Sequence, residues 1–365
     1  MHSPIPHIRS LFWKRRPIHL TYFVTRRCNA ACPFCFYAEA RDAEGGAPEL
    51  SAAEVERVAR SLGDLLWVLF SGGEPFLRDD LAEVSRVFHD TNRAAFLTYP
   101  TNGLLPEVVV GRTEEILRSC GNSVVVVKLS LDGVGRDHDA LRQVPGGFDR
   151  AMRAYEGLAS LARRNPRLEL GINTLFCPEN QWRIDEVIDF VRGLEGVRSH
   201  TITMVRGRPG DGTSGEVDLG QYRRATRRLE EQRPGPRRLH RFAGGGLKAV
   251  QDRLQRRLVH RTLVERRRVV PCYAGRLSLV LTESGELFPC EGRWDRSFGN
   301  VREAGWDVAG MLRSERGRRI LDEVAEGGCH CSHECNLLTS ILFNPMMHPR
   351  LLGGYVADRG RRLLG

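Results

Sequence analysis

The chain has 365 residues, of which 41% are hydrophobic, 7% aromatic and 27% charged. These ordinary globular values exclude wholesale disorder, collagen and coiled coil, and no run nears the roughly 18 apolar residues of a membrane span. The net charge of +10 is nearly all arginine, since Lys14, Lys128 and Lys248 are the lysines, and at roughly 150 residues per domain the length predicts two domains or one barrel with an appendage.

Residues 1–17 form an N-terminal extension. It holds Trp13-Lys14-Arg15-Arg16, but no apolar segment and small-residue cleavage site follow, so a cytoplasmic location is expected. From residue 18, apolar and β-branched runs predict strands over Ile18–Thr25, Leu65–Phe70, Ala94–Tyr99, Val124–Leu131, Leu168–Phe176 and His200–Val205. Helical patterns fall between them: one opened by a Ser51-Ala52-Ala53-Glu54 capping box, then Asp79–Asp90, Thr113–Ser119, Phe148–Arg163 and Trp182–Leu194. Alternating strands and helices predict an α/β protein with a parallel sheet. The unbroken apolar run Val124–Val127 predicts a sheet covered on both faces.

Pro209–Gly215 reads as a boundary after residue 210. A basic helical linker over 211–268 follows, with helices near Leu219–Gln232 and Gly246–Arg268 and repeated arginine doublets. Such doublets suit either an acidic partner or solvated helix faces. A hairpin pairs Leu277–Thr282 with Leu287-Phe288-Pro289, and a helix spans Asp307 to Glu326. Leu337–Leu352 is apolar but broken by Pro345 and Pro349, and 341–365 forms a C-terminal tail.

Ten cysteines are too few for a disulfide scaffold, and their clustering points to metal. Cys28, Cys32 and Cys35 stand within eight residues, directly after the first strand. Three thiolates can hold an iron–sulfur cube and leave one iron open; a zinc site or a cluster closed by a distant cysteine are the alternatives. Ser71-Gly72-Gly73-Glu74-Pro75 closes the second strand. Its glycines admit a ligand close to the backbone, and its glutamate can accept from an ammonium group. In a βα barrel both motifs converge on the C-terminal face of the strands.

With these motifs residues 18–210 resemble the radical S-adenosylmethionine (SAM) superfamily. The resemblance implies a partial (β/α)6 TIM-like barrel. In it Cys28, Cys32 and Cys35 hold a [4Fe-4S] cluster whose open iron chelates SAM. Phe34 would lie by the adenine, and Gly72, Gly73 and Glu74 would bind the methionine amino group. Thr101, Asn102, Ser130 and Asp132 would contact ribose or carboxylate, with Asn173 and Arg206 as weaker carry-overs. The implied reaction is reductive cleavage of SAM to a 5′-deoxyadenosyl radical, which abstracts a substrate hydrogen. An external one-electron reductant such as flavodoxin or ferredoxin is implied as partner.

Cys272 is followed after twelve residues by Gly285 and then, after four, by Cys290; Cys329, Cys331 and Cys335 come later. This resembles the auxiliary-cluster extension called SPASM, or its shorter relative twitch, with the second signature compressed. The resemblance implies a small C-terminal α+β iron–sulfur domain over 269–340. It implies one auxiliary Fe–S cluster, of the [4Fe-4S] type, held by Cys272, Cys290, Cys335 and either Cys329 or Cys331; structural zinc is the alternative. His330 and His333 read as bystanders, Cys120 as packed, and Cys177 as a small buried residue that follows the fifth strand.

The expected function is an oxidation or cross-link begun at a C–H bond of a small-molecule or lipid-type substrate. A peptide maturase of the same superfamily is the alternative. From a different class, the competitor is a non-catalytic Fe–S or zinc protein binding nucleic acid through its arginine helices. Nucleic acid is not the expected partner, no transmembrane segment is expected, and association with a membrane surface stays open.

Overall fold

The computed structural model describes residues 2–39, 47–206, 217–231, 240, 242, 244–327, 329–330 and 332–363. The boundary expected at Pro209–Gly215 and Cys331 lie outside the described residues. Six strands follow in chain order: β1 (His19–Thr25), β2 (Trp67–Gly72), β3 (Phe96–Thr101), β4 (Val124–Ser130), β5 (Leu168–Phe176) and β6 (Val197–Met204). They alternate with α1 (Ala52–Leu62), α2 (Leu81–Asn92), α3 (Pro106–Ser119), α4 (Arg136–Arg142), α5 (Gly147–Arg164) and α6 (Ile184–Gly193). All six strands are parallel and lie in sequence order, as successive βα units require. The architecture is the mixed α/β, partial-barrel type that the sequence predicts.

Local chemistry sets the helix starts. Ser51 and Glu54 form the predicted capping box, each side chain satisfying the other's backbone N–H at the start of α1. The predicted 307–326 helix is instead two, α9 (Val308–Arg313) and α10 (Glu315–Glu326). Ser314 divides them: its extended backbone ends one helix, and its hydroxyl accepts from Gly317 N at 2.9 Å to begin the next.

A main core forms where the outward faces of the strands meet the helices, through residues such as Val68, Phe70, Leu97, Val127 and Leu170. The inward faces differ. On β4 the burial alternates, with Val126, Lys128 and Ser130 half-buried between fully buried neighbours. The strand is therefore not covered equally on both sides, as its apolar run predicts, and the barrel interior stays partly open.

The basic stretch forms α7 (Leu219–Glu231) and α8 (Gly245–Glu265). These helices belong to a second core with Phe176, Ile188 and Ile202 of the barrel and with α11 (Glu334–Leu342). Their arginines are widely paired: Arg223 and Arg257 with Glu230, Arg228 with Asp185 and Asp189, and Arg253 with Asp358 of α12 (His348–Leu363). The described part of this segment is thus packed structure laced with ion pairs.

The C-terminal hairpin, β7 (Ser278–Leu281) and β8 (Glu286–Phe288), does not stand apart from the barrel sheet. β7 runs parallel to β1, His19 opposite Ser278, and extends the order to β6-β5-β4-β3-β2-β1-β7-β8-β9, where β9 is Gly299–Asn300. Gly285, at φ +96°, supplies the left-handed residue of the turn. No helix among the described residues is long and apolar enough to cross a membrane.

Candidate active site

The loop after β1 carries Cys28, Cys32 and Cys35, none of them in a disulfide. A backbone turn, Cys35 N donating to Cys32 O at 3.2 Å, folds it back on itself. Cys32 is buried, and Phe34 packs with it, Leu104 and Val144 in one apolar cluster. Burial holds the Cys32 thiol up at about 11 against the lowering pull of Arg142, with Asp132 and the other two cysteines adding to the rise. The Arg142 guanidinium stands 3.9 Å from Cys32 Sγ, and the Asn102 amide 4.0 Å from Cys28 Sγ. Three sulfurs on one loop, faced by a cation and an amide donor, suit a thiolate-bound anionic cluster, whose charge those donors would offset.

The end of β2 is bound to that loop. Gly73 N donates to Thr25 O and Glu74 N to Arg27 O, each at 2.8 Å. A Cβ on Gly73 would stand 2.1 Å from Arg27 O, and one on Gly72, at φ +120°, 2.3 Å from Thr25 O. The sequence assigns these glycines to the close approach of a ligand; in the structure they first admit the backbone of the cysteine loop.

Glu74 is 2% exposed and joins a third element. Its carboxylate accepts from Thr101 Oγ1 and Asn102 N, both at 2.8 Å, and from Phe76 N at 3.3 Å. Asn102 in turn donates to Asn29 Oδ1 at 2.7 Å. Burial raises the Glu74 carboxyl to about 7 even with these donors. A carboxylate offers about four acceptor sites, so three internal bonds leave capacity for one donor from a ligand.

Ser130 ends β4 opposite Asn173, whose Oδ1 accepts from Thr203 at 2.9 Å. Asp132 is fully buried, ion-paired with Arg142 at 2.7 Å and accepting from Leu175 N at 2.7 Å. In this arrangement it braces Arg142 against the cysteines. Arg206 diverges from the other residues assigned to SAM: it pairs with Glu291 at 3.0 Å and Glu334 at 2.5 Å, so it joins the end of β6 to the C-terminal segment. A cavity of about 260 Å³ opens beside Phe34, lined also by Gly133, Val134, Asn180 and Arg183.

Sequence reasoning misses Arg142 because its helix, α4, has seven residues. That is too short for an apolar period to register.

The C-terminal cysteines are partly assembled. Cys272 and Cys329 line one cavity of about 30 Å³, with Arg268 Nη2 at 3.1 Å from Cys329 Sγ. Cys290 packs with Cys272, Ala274 and Val324. Cys335 instead faces Glu291, Arg206 and Glu334, and burial raises its thiol. His333 is engaged with Glu291 at 3.4 Å. Among the described residues no three His, Cys, Asp or Glu side chains converge tightly enough for a single metal ion. Cys120 and Cys177 are both fully buried, and burial holds the Cys120 thiol up at about 11.

The chain is similar in sequence and in fold to known proteins. The AdoMet-dependent heme synthase of Methanosarcina barkeri is 31% identical over 215 residues, 57% of this chain and 56% of that protein. The mycofactocin maturase MftC of Mycobacterium tuberculosis is 30% identical over 227 residues, 60% of this chain and 53% of that protein. The chain thus spans about half the length of these curated relatives. Among solved structures, native anSMEcpe with bound AdoMet (another abbreviation for SAM) shares the fold at a TM-score of 0.58 and 15% identity, over 95% of this chain and 98% of that one. Streptococcus suis SuiB bound to its precursor peptide SuiA gives 0.57 at 17% identity, over 86% and 68%. The model of the radical SAM superfamily matches residues 22–191, the part of the chain that bears the cysteine loop, Glu74 and most of the first five strands.

Proposed function

We propose that the chain is a radical SAM enzyme in which Cys28, Cys32 and Cys35 hold a [4Fe-4S] cluster. Glu74, with Gly72 and Gly73, receives the amino group of SAM, Phe34 lies by its adenine, and Thr101, Asn102, Ser130 and Asn173 bound the rest of the site. When bound, the cluster and SAM supply one-electron cleavage of SAM and removal of a hydrogen atom from substrate. The chain's residues hold and insulate that chemistry. Arg142 and Asn102 set charge against the sulfurs, Asp132 fixes Arg142, and Glu74 ties the ends of β2 and β3 to the cysteine loop. That tie carries the reading, because it brings residues distant in sequence to one end of the barrel.

The auxiliary site is proposed at Cys272, Cys290 and Cys329 or Cys331, with Cys335 turning from Arg206 to complete it. The substrate is proposed to be a small molecule, with flavodoxin or ferredoxin as reductant. A peptide is the second reading, favoured by the precursor peptide on SuiB and by the maturase MftC.

Anaerobically reconstituted protein with dithionite and SAM is expected to yield 5′-deoxyadenosine, and Cys28→Ala to abolish it. Iron analysis then separates one cluster, about four irons per chain, from two, about eight. Failure to bind SAM, together with salt-sensitive binding of nucleic acid, would overturn the enzyme reading.

A further inference from the structure

Alternate strand residues face the helices or the barrel interior. The outward set is buried, whereas Ser71, Thr98, Lys128, Ser130, Asn173 and Thr201 of the inward set remain half-buried around an open interior. Its floor is aromatic: Trp67 stacks on Phe96 with centroids 6.0 Å apart, and Phe343 and Phe242 pack against that pair. Among these inward residues Lys128 is the one that carries a positive charge. It lies two residues below Ser130, roughly 7 Å down the strand from the mouth.

The strand beside it is built to seat this side chain. Lys128 is opposite Gly171 on β5 and Gly171 opposite Ser199 on β6. The lysine crosses over the glycine to donate to Ser199 Oγ at 2.8 Å and Thr201 Oγ1 at 3.0 Å. A Cβ on Gly171 would stand 2.6 Å from Ser199 Oγ and 2.8 Å from Lys128 Cδ. An ammonium has three donors, and both bonds go to neutral hydroxyls. The carboxylates nearby are engaged elsewhere, Glu169 with His240 at 3.0 Å and Asp252 with Lys248. Burial, and then the charge of Lys248, lower the lysine to about 8. It therefore stays mostly protonated at neutral pH and favours an added anion.

We propose that the barrel interior takes a small molecule bearing a carboxylate on an apolar body, and that Lys128 anchors the carboxylate while the aromatic floor takes the body. Lys248 and Arg256 also act on Lys128, and Asp252 and Glu169 oppose them; three cations against two carboxylates leave one positive charge in excess, which matches a single carboxylate better than a phosphate dianion. The proposal rests on the radical SAM reading and names the class of substrate for that site.

The three lysines make the test direct. In protein labelled with 15N-lysine, the Lys128 Nζ resonance, assigned through Lys128→Met, is followed during titration with 3-phenylpropanoate, with the neutral analogue 3-phenylpropanamide and with inorganic phosphate. A saturable shift with 3-phenylpropanoate and none with 3-phenylpropanamide is expected. Gly171→Ala keeps the charge but displaces the side chain, and it should weaken 3-phenylpropanoate binding about tenfold or more, the loss of one charged hydrogen bond. If Lys128→Met does not fold, this second variant carries the test. A Lys128 resonance indifferent to 3-phenylpropanoate, or one that saturates with phosphate in preference, overturns the proposal. Binding of SAM and formation of 5′-deoxyadenosine by the unsubstituted chain are measured alongside. If both are seen while Lys128 ignores 3-phenylpropanoate, this proposal alone fails. If SAM does not bind and no 5′-deoxyadenosine forms while 3-phenylpropanoate binds, the enzyme reading fails and the carboxylate site stands.

Discussion

Replacing Gly73 with alanine tests whether the two glycines serve the cysteine loop before any ligand. The added methyl would stand 2.1 Å from Arg27 O, 2.6 Å from Arg27 C and 2.8 Å from Arg26 O. All three are backbone atoms, so no side chain can swing aside. The loop or the strand end must move, and the bonds from Gly73 N to Thr25 O and Glu74 N to Arg27 O stretch together. Overpacking of this kind costs typically about 1–3 kcal/mol, and each weakened hydrogen bond adds about 1 kcal/mol. We expect urea unfolding to show Gly73→Ala less stable by about 3–5 kcal/mol. Reconstituted Gly73→Ala should also bind less iron, because the same loop carries the three cysteines. Gly111→Ala is the control. That glycine lies inside α3 with nothing within 4 Å of the added carbon, so alanine should stabilise by about 0.5–1 kcal/mol. Equal urea midpoints and equal iron content for Gly73→Ala and the unsubstituted chain would refute the reasoning.

The buried carboxyl of Glu74 predicts a pH dependence. Its folded value, about 7, lies above the ordinary 4.5, so the native state holds the proton more tightly. The stability this gives is complete below about pH 4.5 and lost as pH rises through about 7, a change of about 3 kcal/mol. Urea midpoints of the unsubstituted chain and Glu74→Gln should therefore diverge over that window, and a constant difference from pH 5 to 8 would contradict it. Arg206→Met leaves Glu291 and Glu334 buried without their cation and should cost about 3 kcal/mol. Hydrogen exchange should speed in α11 while β1 stays protected, and unchanged protection of α11 would refute the role. Ser51→Ala removes the cap of α1 and should lower stability by about 1 kcal/mol, measured by thermal melting.

The strands and most helices were legible because each carries a local pattern: apolar runs for β1–β5, a capping box for α1, turn residues around Gly285. The cysteine loop and Glu74 were legible for the same reason, as short motifs directly following strands. What escaped was non-local. Nothing near residue 278 announces that β7 will pair with β1, since any exposed strand edge can accept such a partner. Arg142 and Arg206 were hard to place because an ion pair leaves no periodic trace, and their acids lie at Asp132 and at Glu291 and Glu334. Lys128 was hidden inside an apolar run. Only the alternating burial of β4, set by the curvature of the sheet, separates its half-open face from its covered one.

The pairing of β7 with β1 also bears on how the molecule is made. Contacts between His19 and Ser278 join points about 260 residues apart, and closing a loop of that length costs about 5 kcal/mol of chain entropy. During synthesis the segment bearing the three cysteines leaves the ribosome early, with one flank of its strand unpaired until the hairpin emerges. Contact order this high slows folding, so that flank is bare for much of the assembly time. The first strand is thus begun first and finished among the last, and an aggregation-prone edge lies beside the loop that carries three cysteines.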